Sequence, residues 1–308
     1  MTYGGSNQPR PTRNDRRDAA REKARQLRED QKKRDRRQRW LLQGGVAVVV
    51  VVAIAIVSLV VMNSITPAKP GPQNMASDGI LLVQGEDGAS ISAVRTGGVP
   101  ADGEPVPTVP DASGDVANIV IYVDYLCANC GDFEAANGEL LQTMVTSGFA
   151  TLEIHPLGML KTLSQGTQYS VRAANAAACV ADASPDDFFA YHQALFAQQP
   201  EENTPGLTDE ELADLASDTG VGSLDAVTTC ITDREFTTWV GQATERALDG
   251  PLPNTEVENV QGTPTVLVNG LQYTGANDDS DEFRSFVQQA LSTAAEKATP
   301  TPTPTPGG

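Results

Sequence analysis

Residues 124–134 read DYLCANCGDFE, with Cys127 and Cys130 three positions apart behind an apolar run. Paired thiols at that spacing suit three chemistries. They can open and close as a redox couple, supply two ligands to a metal, or form an inert clip.

The flanking elements favour the first. VANIVIYVDYLC reads as a buried strand from its run of Val and Ile. FEAANGELLQTMVTSG has helical spacing, with Phe133, Leu140, Leu141 and Met144 apolar, and ATLEIHPL follows as a second strand. This β-α-β order implies parallel strands and a right-handed crossover. It sets Cys127 at a helix N-terminus, where free N–H groups and the macrodipole favour a thiolate. The thiolate is the attacking species, and an acidic sulfur leaves readily. Cys130, one turn along and further inward, can attack a mixed disulfide at Cys127 and release the substrate.

A second motif, GTPTVLVNG, places Thr263-Pro264 directly before a strand. Proline there cannot donate to the sheet and marks a special turn or an edge. An X-Pro bond has a small trans preference, so a tight turn can hold it cis; an ordinary trans proline is the competing reading. Beside Cys127, such a loop would keep metal from the sulfurs and offer Thr263 backbone groups to an extended substrate. Asp124 and His155 are candidates to tune the thiolate; Asp124 would raise its pKa or else hold the strand end. Glu153 is a candidate buried acid for proton transfer, and His192 packs within its helix. No metal is expected, because the spacings 127–130 and 179–230 lack the paired CxxC or HxxxH of a structural zinc site.

From about Ser164 to Asp249 the pattern is helical. Ser184 and Pro185 read as a helix start, Thr208 and Glu211 as a capping box with Gly220 as its stop, and Thr232 and Glu235 as a second such box. TPTVLVNG and LQYTG are strands joined by Asn269-Gly270, a type I′ signal, and a helix from Ser280 to about Lys297 closes the fold. Earlier in the chain, residues 79–115 read as a small β-hairpin or edge-strand arm.

Charge is split sharply. Residues 1–40 carry 14 Lys and Arg against 6 Asp and Glu, a balance of +8, so in a chain of net −18 the remainder stands at −26. That excludes a uniform nucleic-acid binder, which needs cations on its folded face. Between the two halves runs WLLQGGVAVVVVVAIAIVSLVVM. As a helix, residues 41–62 would span roughly 33 Å, enough for the hydrocarbon core. The basic flank predicts a cytoplasmic N-terminus and an extracytoplasmic remainder. The length of both regions favours a retained signal anchor over a cleaved leader. Disulfides persist outside the cytoplasm. Four cysteines allow three pairings; if Cys127 and Cys130 pair, Cys179 and Cys230 remain for each other.

DYLCANCGDFE, FFAYHQALFAQQ and GTPTVLVNG, in that order, resemble the DsbA family of extracytoplasmic thiol–disulfide oxidoreductases, most of all its membrane-anchored members, over roughly residues 117–296. The resemblance implies an α/β thioredoxin-like fold with an inserted α-helical domain, preceded here by a single transmembrane helix. The expected organisation is a basic cytoplasmic tail (1–40), an anchor (41–62), a linker and β arm (63–116), a thioredoxin-like domain (117–163 and 250–297), a helical insert (164–249) and a Thr-Pro tail (298–308). It also implies Cys127 as nucleophile, Cys130 as resolving cysteine and Pro264 as a cis-proline after Thr263. Some anchored relatives carry a second disulfide in the insert, which Cys179–Cys230 fits. The implied partners are unfolded or partly folded exported proteins with free thiols, and a quinone-linked membrane oxidase of the DsbB or VKOR type for reoxidation. No cofactor is implied. Where family members often have Pro after the first cysteine, this chain has Ala128-Asn129, a pair that tunes reduction potential. Disulfide reduction or isomerisation on the same scaffold, and a non-catalytic anchored binding module, are the rival readings.

Overall fold

The structure is a computed structural model. It describes residues 69–298 and, in the basic N-terminal stretch, positions 21–23, 25, 28–29 and 31–34. The chain divides into two units, Met1–Pro67 and Ala68–Gly308. In the first, the described positions are helical. The anchor expected over 41–62 and most of the Thr-Pro tail lie outside the described residues. Among the described residues no helix is long and apolar enough to cross a membrane.

The second unit is built on one six-stranded sheet in the order β2-β1-β4-β3-β5-β6. The strands are β1 (Ile80–Gln84), β2 (Ile91–Ala93), β3 (Ala117–Val123), β4 (Ala150–Pro156), β5 (Thr265–Val268) and β6 (Leu271–Gln272). β3 and β4 run parallel in register from Ala117 opposite Ala150 to Val123 opposite Pro156. β5 lies antiparallel on the other side of β3, and β1 antiparallel on the other side of β4. The arm over 79–115 is therefore a hairpin whose first strand joins the main sheet, leaving only the three-residue β2 at the edge. The β5–β6 turn, Asn269-Gly270, has positive φ at both positions (48° and 79°), as a type I′ turn requires.

Parallel neighbours point to the same face, so the register sorts the chemistry. Ile119, Ile121 and Val123 of β3, with Leu152 and Ile154 of β4, face one core. Helices α1 (Ala128–Thr146) and α7 (Ser280–Ala298) supply Phe133, Leu141 and Val145, and Phe283 and Val287, to the same core. The rings of Phe133 and Phe283 meet edge-on at 5.2 Å. Each such buried side chain contributes about 1.5–3 kcal/mol. Tyr122 and Leu267 face the other way, into a smaller cluster with Leu157, Leu252 and Val260. α1 ends in a Schellman turn: Gly148 at φ 72° lets Phe149 N–H reach Met144 O, which reverses the chain into β4.

Between β4 and β5 lie α2 (Tyr169–Ala183), a 3-10 turn (Pro185–Asp187), α3 (Phe188–Ala197), α4 (Asp209–Asp218), α5 (Leu224–Asp233) and α6 (Thr237–Asp249). The Thr208–Glu211 capping box is formed, and Gly220 at φ 74° follows the end of α4. One expected helix start is corrected. Thr232 lies in the last turn of α5, its hydroxyl bonded to Thr228 O and Thr229 O, and the left-handed Arg234 stops that helix. At Ser184 the expected start is present as a 3-10 turn, with Ser184 at the N-cap position and Pro185 first in the turn, which runs on into α3; the hydroxyl donates to the Asp187 carboxylate rather than capping a backbone N–H. Cys179 of α2 is disulfide-bonded to Cys230 of α5 across a separation of 51 residues. Cross-linking a loop of that length stabilises the fold by about 4 kcal/mol in the chain-entropy model. Replacing both cysteines by Ala should lower the urea midpoint accordingly, with the slope m raised by the less constrained unfolded chain.

Candidate active site

β3 stops at Val123, four residues short of the first cysteine. The interval Asp124–Leu126 is a buried turn, held from inside by the Asp124 carboxylate. Its Oδ1 accepts from Leu126 N at 2.9 Å, and its Oδ2 accepts from Leu160 N at 2.8 Å and Ser170 Oγ at 2.5 Å. One side chain thus ties the strand end to the loop after β4 and to α2. Burial raises its pKa, against the pull of these three donors. The strand expected to continue through Cys127 is corrected accordingly: a carboxylate that organises local N–H groups makes a turn where apolar run alone reads as strand.

Cys127 is the residue that opens α1, with extended backbone (φ −73°, ψ 116°), and no acidic side chain sits in the first turn. Cys127 and Cys130 are both free thiols, Cys127 retaining 6% exposure and Cys130 none. That difference decides which sulfur a second protein can reach. The Thr263–Pro264 peptide is cis, and Cys127 Sγ lies 3.1 Å from Thr263 O, to which the protonated thiol donates. A second cis bond, Gly250–Pro251, was not anticipated from sequence.

The two thiols titrate far apart. The Cys127 pKa is lowered to about 6, chiefly by the hydrogen bond from the Cys130 thiol; burial opposes this, and the Thr263 side chain and the Cys130 N–H assist. Cys130 is raised well above the ordinary thiol range, first by burial and then by Cys127 itself. The pair therefore holds one proton on the inner sulfur and presents a thiolate on the outer one at neutral pH.

Other candidates fall elsewhere. Glu153 and His155 share the sheet face of Tyr122, opposite the core that contains both cysteines. There His155 stacks on Tyr122 at 4.4 Å, and Glu153 accepts from Thr108 Oγ1 at 2.9 Å and from Ser77 Oγ. Burial pushes the Glu153 carboxyl up, but the bonds from His155, Ser77 and Thr108 outweigh it and the net shift is downward. The structure gives neither residue a contact with the sulfurs; a strand position alone does not reveal its face, which the register decides. His192 is wholly buried, with Nδ1 3.0 Å from Tyr125 OH and Nε2 3.2 Å from Glu134 Oε1. Glu134, four residues after Cys130 on α1, was passed over in the sequence, although that spacing puts it on the same helix face. Gln199 and Glu202, after α3, reach the backbone around Cys127; Gln199 ends the FFAYHQALFAQQ stretch, but nothing local in the sequence marks its contact or Glu202. Among the described residues no group of three His, Cys, Asp or Glu could hold a metal ion.

Comparison with known proteins agrees with this geometry. A family model described as Thioredoxin matches residues 112–305, more than half of the chain. DsbA from Mycobacterium tuberculosis, solved in its reduced form, is 26% identical, with a TM-score of 0.50 over 72% of this chain and 100% of that one. The MdbA protein, a thiol-disulfide oxidoreductase from Corynebacterium diphtheriae, is 19% identical over 73% of this chain and 94% of that one, with a TM-score of 0.50, a likeness of fold. The serine/threonine-protein kinase PknE of M. tuberculosis (strain ATCC 25618 / H37Rv) is 34% identical over 106 residues, which are 33% of this chain. The chain spans about a fifth (19%) of the length of the curated relatives it matches. The chain belongs to the thioredoxin family, and its fold is similar to that of DsbA from M. tuberculosis.

In the reduced native protein, iodoacetamide should modify Cys127 with a midpoint near pH 6, against about 8.5 for an ordinary thiol, and should spare Cys130. Cys130→Ala removes the main donor, so the Cys127 midpoint should climb back toward the ordinary value.

Proposed function

We propose that this chain is a membrane-anchored enzyme that forms disulfides in exported proteins. The observation that carries the reading is the split pair of thiols: an outer sulfur lowered to about 6 beside an inner, buried one that keeps its proton. In the oxidised enzyme a client thiolate attacks Cys127 Sγ. The Cys127–Cys130 bond breaks, a Cys127–client bond forms, and Cys130 leaves and takes up a proton. A second client thiolate then attacks the client sulfur of that mixed disulfide. The client gains a disulfide and Cys127 departs as a thiolate. Two electrons pass from client to enzyme, and the stability of the departing thiolate drives the transfer in this direction.

In this direction Cys127 is the sulfur attacked and Cys130 the leaving group; in the reverse reaction the Cys127 thiolate is the nucleophile on a client disulfide and Cys130 resolves the mixed disulfide. Thr263 and Pro264 form the wall against which an extended client lies. The contact between Cys127 Sγ and Thr263 O supports that placement. Reoxidation then falls to a quinone-linked membrane oxidase of the DsbB or VKOR type. Anchoring by residues 41–62, with the N-terminus in the cytoplasm, rests on the apolar run and its basic flank. The Cys179–Cys230 bond supports an oxidising compartment.

Cys130→Ser should trap clients as mixed disulfides at Cys127 in intact cells. Exported proteins should be recovered in reductant-sensitive complexes that vanish when Cys127 is also changed to Ser. No complexes, with Cys127 still alkylated at low pH, would remove the enzymatic reading and leave a binding module. A reduction potential near the thioredoxin value of about −270 mV would shift the assignment to a reductase, whereas one toward about −120 mV fits an oxidase.

A further inference from the structure

The segment after α3 grips the backbone on both sides of the reactive cysteine. Gln199 Nε2 donates to Cys127 O at 2.9 Å and to Tyr125 O at 3.2 Å. Three residues on, Glu202 Oε1 accepts from Ala128 N at 3.3 Å. Ala128 is the first residue of α1, and its N–H is one of the unpaired donors at that helix start. Neither a side-chain cap from Cys127 nor an acid in the first turn occupies those donors. Glu202 therefore brings a negative charge from the helical insert to the dipole end that also favours a Cys127 thiolate. Two anions draw on one helix start.

We infer that Glu202 is a positioning residue that destabilises the Cys127 thiolate, so that the helical insert limits how strongly the dithiol site oxidises. Gln199 holds the Cys127 peptide in place while the Glu202 charge acts on it. The other titratable groups facing Cys127 are Cys130 from α1 and Asp124 from the preceding turn. The loop at 260–264, Val-Gln-Gly-Thr-Pro, brings no charge. Cys130 favours the thiolate and Asp124 opposes it, so Glu202 adds to the opposing side from a solvent-exposed position. Being exposed, its effect weakens with added salt. The inference rests on the oxidoreductase reading for its consequence, but not for its primary measurement.

The test uses the full chain and two variants. Glu202→Gln keeps a side-chain oxygen for the Ala128 N–H and removes only the charge; Glu202→Ala removes both. The first readout is the pH midpoint of Cys127 alkylation, which needs no client. The second is the equilibrium with reduced and oxidised glutathione. Glu202→Gln should lower the alkylation midpoint by about half a pH unit, an effect of the size seen for single charges at helix ends. It should move the glutathione equilibrium about threefold toward a stronger oxidant, and 1 M salt should abolish most of the difference. Glu202→Asp should restore the parent midpoint at least in part. An unchanged or higher midpoint in Glu202→Gln overturns the inference, as does a shift seen in Glu202→Ala alone, which would mean that the hydrogen bond matters and the charge does not. Failure of the parent protein to trap clients would instead strike the proposed function and leave the alkylation result intact.

Discussion

Two sulfurs one helical turn apart share a single proton, and the rest of the unit is arranged around where that proton resides. The inner sulfur is buried and keeps it; the outer one, at the mouth of α1, receives its hydrogen bond and ionises. Neither burial nor the helix start alone would separate the pair this far. Burial acts against a thiolate at both positions; at Cys130 it is the chief cause of the rise, whereas at Cys127 the hydrogen bond from the Cys130 thiol outweighs it. A dithiol that ionises on only one side is suited to exchange: it presents one leaving group outward and keeps the second nucleophile masked until a mixed disulfide draws it out.

Holding that geometry is the task of long-range contacts. Asp124 gathers three donors from its own turn, the loop after β4 and α2, and so ties the strand end and the site to the insert. Thr263 approaches from the start of β5, a strand paired with β3, so the sheet register itself brings the proline loop to the cysteines. Gln199 and Glu202 close the remaining side from the insert. Behind the sheet, Glu153, His155 and Tyr122 form a separate buried cluster whose Glu153 carboxylate accepts from Ser77 and Thr108 of the N-terminal arm. That arrangement gives them a part in seating the arm, away from the sulfurs.

Much of the fold was legible because local signals agreed with it. The Val- and Ile-rich run of β3, the Asn269-Gly270 turn and the Thr208–Glu211 box each follow from short-range physics. The placement of Cys127 at a helix start followed from the change of period across it. Where the sequence misled, a side chain with partners both near and far had intervened. Asp124 turned the end of an apolar run into a loop, and a left-handed Arg234, salt-bridged to Asp209, ended α5 where a capping box seemed to begin. Glu153 and His155 looked close to the site because they lie at a neighbouring strand end; the parallel register turns them to the other face. Gln199 and Glu202 act from more than 70 positions away, and no pattern near them records it.

The shared proton makes a claim about stability that one experiment reaches directly: urea unfolding of the reduced and the oxidised protein across pH. A thiol whose pKa falls on folding adds stability that is complete above its unfolded value, near 8.5–9, and is lost as pH drops through the folded value near 6. Only the reduced form has this thiol. Its stability relative to the oxidised form should therefore climb between pH 6 and about pH 8.5 and level off below pH 6; above that the buried Cys130, whose pKa folding raises, acts in the opposite direction. A difference between the two forms that stays flat across this range, or falls as pH rises, would contradict a thiolate held by Cys130 at the head of α1.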